Sequence, residues 1–181
     1  MQQRFVVIGA ASPFGEGVSR ALMAAGADVI VCDDLGDTAD GRWRHLPDGV
    51  VDVWDAEEGP GQLDTQWQTV TGVVLCTTPA FPNQADIAFA DGFGDPMALW
   101  RWAAGKQRGF VWAPAPDGGP AYDHAVRLAT TAMTRLASED ARKAPSVWAI
   151  AADASPQALA DLALAGKSAG VVAQTLRAAA E

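Results

Sequence analysis

Residues 4–33, RFVVIGAASPFGEGVSRALMAAGADVIVCD, decide the fold. Residues 4–8 are a short, mostly apolar run that ends in glycine, the pattern of a parallel strand buried on both faces. Across residues 16–25, Val18, Ala21, Leu22 and Ala25 share one helical face, and Gly26 stands where a helix stops. Residues 28–32, DVIVC, read as a second buried strand closed by Asp33 and Asp34. Strand, glycine-rich turn, helix and strand within about thirty residues make a βαβ unit, so the two strands lie parallel.

Working outward, residues 50–54 predict a third strand and residues 63–69 a short helix. Residues 72–76, GVVLC, predict a fourth strand. From 77 to 95, Pro, Gly, Asn and Asp interrupt any apolar period, and the stretch reads as loop. A helix follows at 96–106, a fifth strand at 110–112, and a loop at 114–120 (PAPDGGP). The longest helix is expected over 122–141, a sixth strand over 146–151 and a helix over 157–164. Residues 168–180 read either as helix or as a short strand at Val171 and Val172. No repeat or low-complexity linker divides the chain, so a single domain over 1–181 is expected. Alternating β and α elements imply a Rossmann-type α/β fold. Its doubly wound, mostly parallel sheet would have six strands, or seven with the last segment, and helices on both faces.

Composition narrows the function classes. With 49% hydrophobic residues the chain can bury a core rather than stay disordered. A net charge of −9 and only three lysines (106, 143 and 167) speak against a nucleic-acid partner, which needs clustered cations. Cys32 and Cys76 lie in separate strand-like segments with no CxxC or Cys/His cluster, so neither a zinc site nor a disulfide is expected. The first residues lack the basic and apolar regions of a signal peptide, and no run of about 18 apolar residues would span a membrane. A cytoplasmic protein is the expectation.

The turn VVIGAASPFGEG sets Gly9, Gly15 and Gly17 between a buried strand and a helix. Such a turn aims backbone N–H groups and a positive helix end at a phosphate, with Gly9, Ala11, Ser12, Phe14 and Gly15 as the cradle. Asp33, closing the next strand, stands where a carboxylate accepts hydrogen bonds from an adenosine ribose and repels a 2′-phosphate. NAD is therefore expected over NADP.

The motif and its spacing resemble the short-chain dehydrogenase/reductase family along nearly the whole chain. Residues 8–15 are similar to the family's glycine loop, and Asp52-Val53 to the Asp-Val pair that lies against the adenine. Residues 70–78 occupy the place of the fourth strand and its Asn-Asn-Ala-Gly motif, with Thr77 and Thr78 where nicotinamide or ribose would be met. Ala121-Tyr122 opens a stretch resembling the Tyr-x-x-x-Lys helix, and Leu136-Ala137-x-Glu139 falls where that helix carries Leu-Ala-x-Glu. Residues 146–153 resemble the strand ending in Asn-x-x-x-Pro-Gly, and Gln174-Thr175-Leu176 a motif near the family's C-terminus. The resemblance implies Tyr122 as the catalytic acid or base.

The departures bear on activity. In the family a lysine four residues after the tyrosine lowers its pKa, and a serine orients the substrate carbonyl. Here the fourth residue on is Val126, and no serine occurs between Ser19 and Ser138. The Asn-Asn-Ala-Gly position reads Leu75-Cys76-Thr77-Thr78, and Ala152-Asp153 replaces Pro-Gly. Pro13 replaces a loop glycine, removing one N–H and adding a ring near the pyrophosphate. Residues 154–156 stand in for the elements that cover the family's substrate. An unassisted phenol, with a pKa of about 10, is a poor proton acceptor near neutral pH.

Other candidates have bland readings. Arg127 leaves its helix about 100° away from the missing lysine's position. His45 and His124 read as solvated side chains, although His124 lies near Tyr122 and titrates in the useful range. Trp100 and Trp102 face different sides of one helix, one toward the core and one toward a partner surface. In the family the helix before the fifth strand and the tyrosine-bearing helix pair with a second subunit, and Arg127, Thr130, Thr131 and Thr134 would offer that face. The leading expectation is a catalytically degenerate, NAD(H)-binding or partner-stabilising subunit, paired with itself or with a full-length relative. The alternatives are an NAD-dependent oxidoreductase acting on a small carbonyl or alcohol through Tyr122, and a dinucleotide-sensing regulatory module.

Overall fold

The computed structural model describes residues 2–33, 46–57, 59–77, 84–166, 170 and 171. Expectations for His45, Thr78 and the Gln174-Thr175-Leu176 motif lie outside them. Seven strands form one parallel sheet: β1 (Arg4–Ile8), β2 (Asp28–Asp33), β3 (Asp52–Asp55), β4 (Gly72–Cys76), β5 (Gly109–Ala113), β6 (Val147–Ile150) and β7 (Gly170–Val171). Their spatial order is β3-β2-β1-β4-β5-β6-β7. The chain winds outward from β1 in both directions, so a crevice opens above the carboxyl ends of β1 and β4. The seventh strand pairs with β6 through Ala149↔Gly170 and Ile150↔Val171, so Val171 is in a strand as one reading expected, while Val172 and the rest of 172–180 lie outside the described residues.

The helices are α1 (Pro13–Ala24), α2 (Gly59–Gln66), α3 (Ala85–Phe89), α4 (Asp95–Lys106), α5 (Pro120–Glu139) and α6 (Pro156–Leu164). Three of the longer ones begin with proline just inside a cap or turn. The fixed φ of proline suits the first helical position, where an N–H would have no partner anyway. That is why α1 starts three residues earlier than its apolar period indicates: Ser12 caps it and Pro13 opens it.

One expectation is corrected. Residues 84–95, read as loop, run instead from Gln84 into α3 and then through a π-helical turn, Ala90–Gly94, that continues into α4. Local composition is overridden by packing. Ala88 is fully buried, and Gly92 sits where a Cβ would be 2.9 Å from Ala125 Cβ and 3.0 Å from the Tyr122 carbonyl oxygen of α5. Gly92 is the residue that lets this segment lie flat on α5.

Strand alternation divides the core cleanly. Val7, Val29, Val31, Val74, Val111 and Ala149 face α1 and α6. These are small side chains, and they let the two helices approach closely: a Cβ on Gly17 of α1 would meet Pro156 of α6 at 3.0 Å. On the other face Phe110, Trp112 and Ile150 pack with Trp100, Ala129 and Met133 of α4 and α5. Trp100 stacks edge-on against Phe110 and Trp148, at centroid distances of 5.9 and 5.0 Å. Truncating a buried aromatic of this kind costs about 3–5 kcal/mol. Trp102 is engaged within the chain, donating its indole N–H to Asp64 at 3.2 Å. Among the described residues no helix is long and apolar enough to cross a membrane.

Candidate functional site

The site lies at the carboxyl edge of the sheet and begins at Gly9. Its φ of +79° and its position against β4 both require glycine, since a Cβ there would run into the Cys76 carbonyl oxygen. A Cβ on Gly15 would likewise run into the Gly9 carbonyl oxygen. The glycines are thus needed for the fold of the turn itself.

The turn points α1 at the crevice, but several donors are already engaged. Ser12 Oγ accepts from Gly15 N at 3.0 Å and donates to the Gly9 carbonyl at 2.8 Å. Glu16 N donates to the Ser12 carbonyl at 2.8 Å, and Pro13 has no N–H. Phe14 N–H is left as the first-turn donor available to a phosphate. Ala11 N donates to Asp33 Oδ2 at 2.7 Å, so the carboxylate expected at a ribose also holds the glycine loop.

Asp52 and Val53 do not reach this edge. They open β3, in register with Ile30 and Val31 of β2, while Asp55 is the residue paired with Asp33. Asp52 is occupied locally, accepting from the Val53 N–H and from the Trp54 indole, both at 2.9 Å. The sequence predicts this strand over residues 50–54, but it forms over Asp52–Asp55, so Asp55 closes it. Its neighbourhood is negative: Cys32 is pushed up to about 12, by burial first and then by Asp33 and Asp55. Cys76 is also pushed up to about 12 by burial and by Asp33.

Tyr122 lies on the first turn of α5 with no exposed surface. Its hydroxyl is 2.7 Å from Thr77 Oγ1, at the end of β4, and accepts from Ala115 N at 3.1 Å. Thr77 Oγ1 also accepts from the Trp112 indole at 3.0 Å and faces the Ala113 carbonyl at 3.5 Å. The ring is clamped by glycine, because a Cβ on Gly118 would collide with it and one on Gly92 would touch its edge at 3.2 Å. Burial raises the phenol above the usual tyrosine value, and the hydrogen bonds from Thr77 and Ala115 offset that only in part. A general base needs the opposite shift.

No cation is brought to the phenol among the described residues. Lys106 lies at the opposite, amino edge of the sheet, 3.8 Å from Asp64 and over the Trp67 ring. Lys143 is in the turn before β6, also at the amino edge. Val126 is partly buried against the α4–α5 core, Arg127 is exposed on α5, and His124 is exposed on its first turn. Among the described residues no group of three His, Cys, Asp or Glu side chains is placed to hold a metal ion.

Beside the phenol, but not reaching it, is a cleft of about 620 Å³ lined by Phe14, Cys76, Thr77, Ala113 to Asp117, Asp153 and Ala154. It continues the glycine loop through Phe14 and runs along the ends of β4, β5 and β6. Its floor is apolar, and among the described residues its charged lining consists of Asp117 and Asp153.

Neither a protein-family model nor a curated protein matches the chain by sequence. Solved structures do match by fold. A metagenomic short-chain oxidoreductase in complex with NADP is 18% identical at a TM-score of 0.65, over 94% of this chain and 95% of that one. A short-chain dehydrogenase/reductase from Burkholderia thailandensis is 15% identical at 0.64, over 94% and 90%. A UDP-glucose 4-epimerase from Brucella ovis in complex with NAD is 11% identical at 0.61, over 83% and 51%. The match to a UDP-galactose 4-epimerase spans 55% of that chain, so this protein covers about half the length of the epimerases it resembles. By these matches the chain has the fold shared by short-chain dehydrogenase/reductases and UDP-glucose 4-epimerases.

Proposed function

We propose that this chain is a nicotinamide-dinucleotide-binding domain that performs no hydride transfer by itself and acts as a partner-stabilising or sensing subunit. The observation that carries the reading is the fully enclosed Tyr122 hydroxyl, shared between Thr77 and the Ala115 N–H. A proton donor must be within hydrogen-bond reach of the substrate, and this one is committed to the protein. Among the described residues no lysine or serine lies beside it to supply a cation or position a carbonyl, and burial outweighs the two hydrogen bonds that lower its pKa.

The nucleotide half of the site fits better. Gly9 and Gly15 form the turn, Phe14 N–H and the α1 dipole face the phosphate position, and Asp33 stands at the ribose position with NAD favoured over NADP. A bound dinucleotide would bring a nicotinamide capable of accepting or donating hydride. This chain's residues would bind and orient it and shield one face with Phe14. The matched structures that carry NADP and NAD support a dinucleotide of this class.

A partner, either a second copy or an active relative, is supported by Phe89 of α3 and Leu128 of α5, 43% and 42% exposed on helices that pack together. Two buried free thiols fit a reducing, cytoplasmic setting. The test is calorimetric titration with NAD and NADH, followed by NADH consumption over a panel of aldehydes and ketones. Binding without turnover is expected. Turnover that disappears in Tyr122→Phe would overturn the reading, and so would the absence of any binding.

A further inference from the structure

We propose that the carboxyl-edge cleft discriminates between the redox states of the nicotinamide, holding the oxidised, cationic ring in preference to the reduced, neutral one. The inference rests on the dinucleotide-binding reading above and adds to it the form of ligand selected. Oxidised and reduced nicotinamide are nearly the same size, and what separates them most is one positive charge on the ring. A site tells them apart through the field it places there.

The charged side chains that line the cleft are of one sign among the described residues. Among the described residues the lining includes two carboxylates, Asp117 from the loop after β5 and Asp153 from the turn after β6, and no lysine, arginine or histidine. Neither aspartate is tied up in a hydrogen bond or ion pair with another described residue, and both are exposed. Asp153 is held at the rim by a left-handed backbone, φ +59°, which aspartate and asparagine tolerate better than other side chains. Phe14 contributes a third element of the same sense, since the face of an aromatic ring attracts a cation. The apolar floor of Ala113, Pro114 and Ala154 provides no compensating positive group.

The test uses the intact protein and three probes, NAD, NADH and ADP-ribose, titrated at low and at physiological salt. ADP-ribose carries the adenosine and pyrophosphate but no nicotinamide, so it reports on the glycine loop alone. The expected result is binding of ADP-ribose, with NAD about tenfold tighter than NADH at low salt and the ratio shrinking as screening rises. In the double variant Asp117→Asn, Asp153→Asn the ratio should fall to within about twofold of unity. Asparagine keeps the left-handed turn at 153, so the fold is not at risk. ADP-ribose binding together with equal NAD and NADH affinities, or a ratio unchanged in the double variant, overturns the redox discrimination and leaves the dinucleotide site standing. Failure of all three probes to bind overturns both.

Discussion

The hydroxyl of Tyr122 lies 2.7 Å from Thr77 Oγ1 across 45 residues of sequence, and that contact pins the start of α5 to the end of β4. The chain's only tyrosine, the residue that a family resemblance would make its acid, ties the loop after β5 to the sheet. The Ala115 N–H completes the anchor.

Tyr122→Phe is therefore expected to act on stability. It leaves the ring in its glycine clamp and strips the Ala115 N–H of its acceptor, at a cost of about 1–3 kcal/mol. For a domain of this size that is a fall of roughly 2–10 °C in melting temperature. Urea denaturation should show a lower midpoint at an unchanged slope. A variant as stable as the parent would show that the anchor contributes nothing.

Gly9 and Gly26 separate two reasons for glycine. Both have positive φ, +79° and +85°, but a Cβ on Gly26 meets nothing within 4 Å whereas one on Gly9 strikes the Cys76 carbonyl. Gly26→Ala should cost about 1–2 kcal/mol from backbone strain alone. Gly9→Ala adds a collision with backbone that cannot step aside, and should lose at least about 3 kcal/mol or fail to fold. Equal losses in the two variants would contradict the close approach of β1 to β4.

Cys32 and Cys76 should resist alkylation in the native protein at pH 8 and react fully in denaturant. Both thiols are pushed up to about 12, mainly by burial. An unfolded cysteine ionises near pH 8.5, so above that pH the unfolded state releases protons that the native state retains. Stability is intact below about pH 8.5 and falls as the pH rises toward 12, by about 1.4 kcal/mol per pH unit for each thiol. Denaturation midpoints from pH 7 to 10.5 should show this decline, and Cys76→Ala should make it shallower.

Pro13→Gly tests whether the phosphate cradle is short of donors. The substitution restores an N–H at the first position of α1 beside that of Phe14, and NAD affinity is expected to rise about threefold to tenfold by calorimetry, the yield of one added hydrogen bond to an anion. Stability should drop by about 0.5–1 kcal/mol from the freer unfolded chain. Unchanged or weaker binding would mean that the pyrophosphate does not rest on this turn.

Much of this protein could be read along the chain, because the signals involved are local. The βαβ unit, the parallel sheet and the helices apart from α3 follow from apolar periods with glycine and proline punctuation. The lack of a lysine four residues after Tyr122 is a matter of inspection. What needed the tertiary structure depends on residues far apart in sequence. Residues 85–94 are helical because Gly92 meets Tyr122 and Ala125, some thirty residues on, and no local pattern records that contact. Asp33 holds Ala11, and Asp55 rather than Asp52 reaches the edge, because strand register sets which carboxylate ends where. Tyr122 is sealed because the end of β4 and the loop after β5 converge on its hydroxyl. Sequence determines which chemical groups are present; the packing of distant segments decides which of them remain available to a ligand.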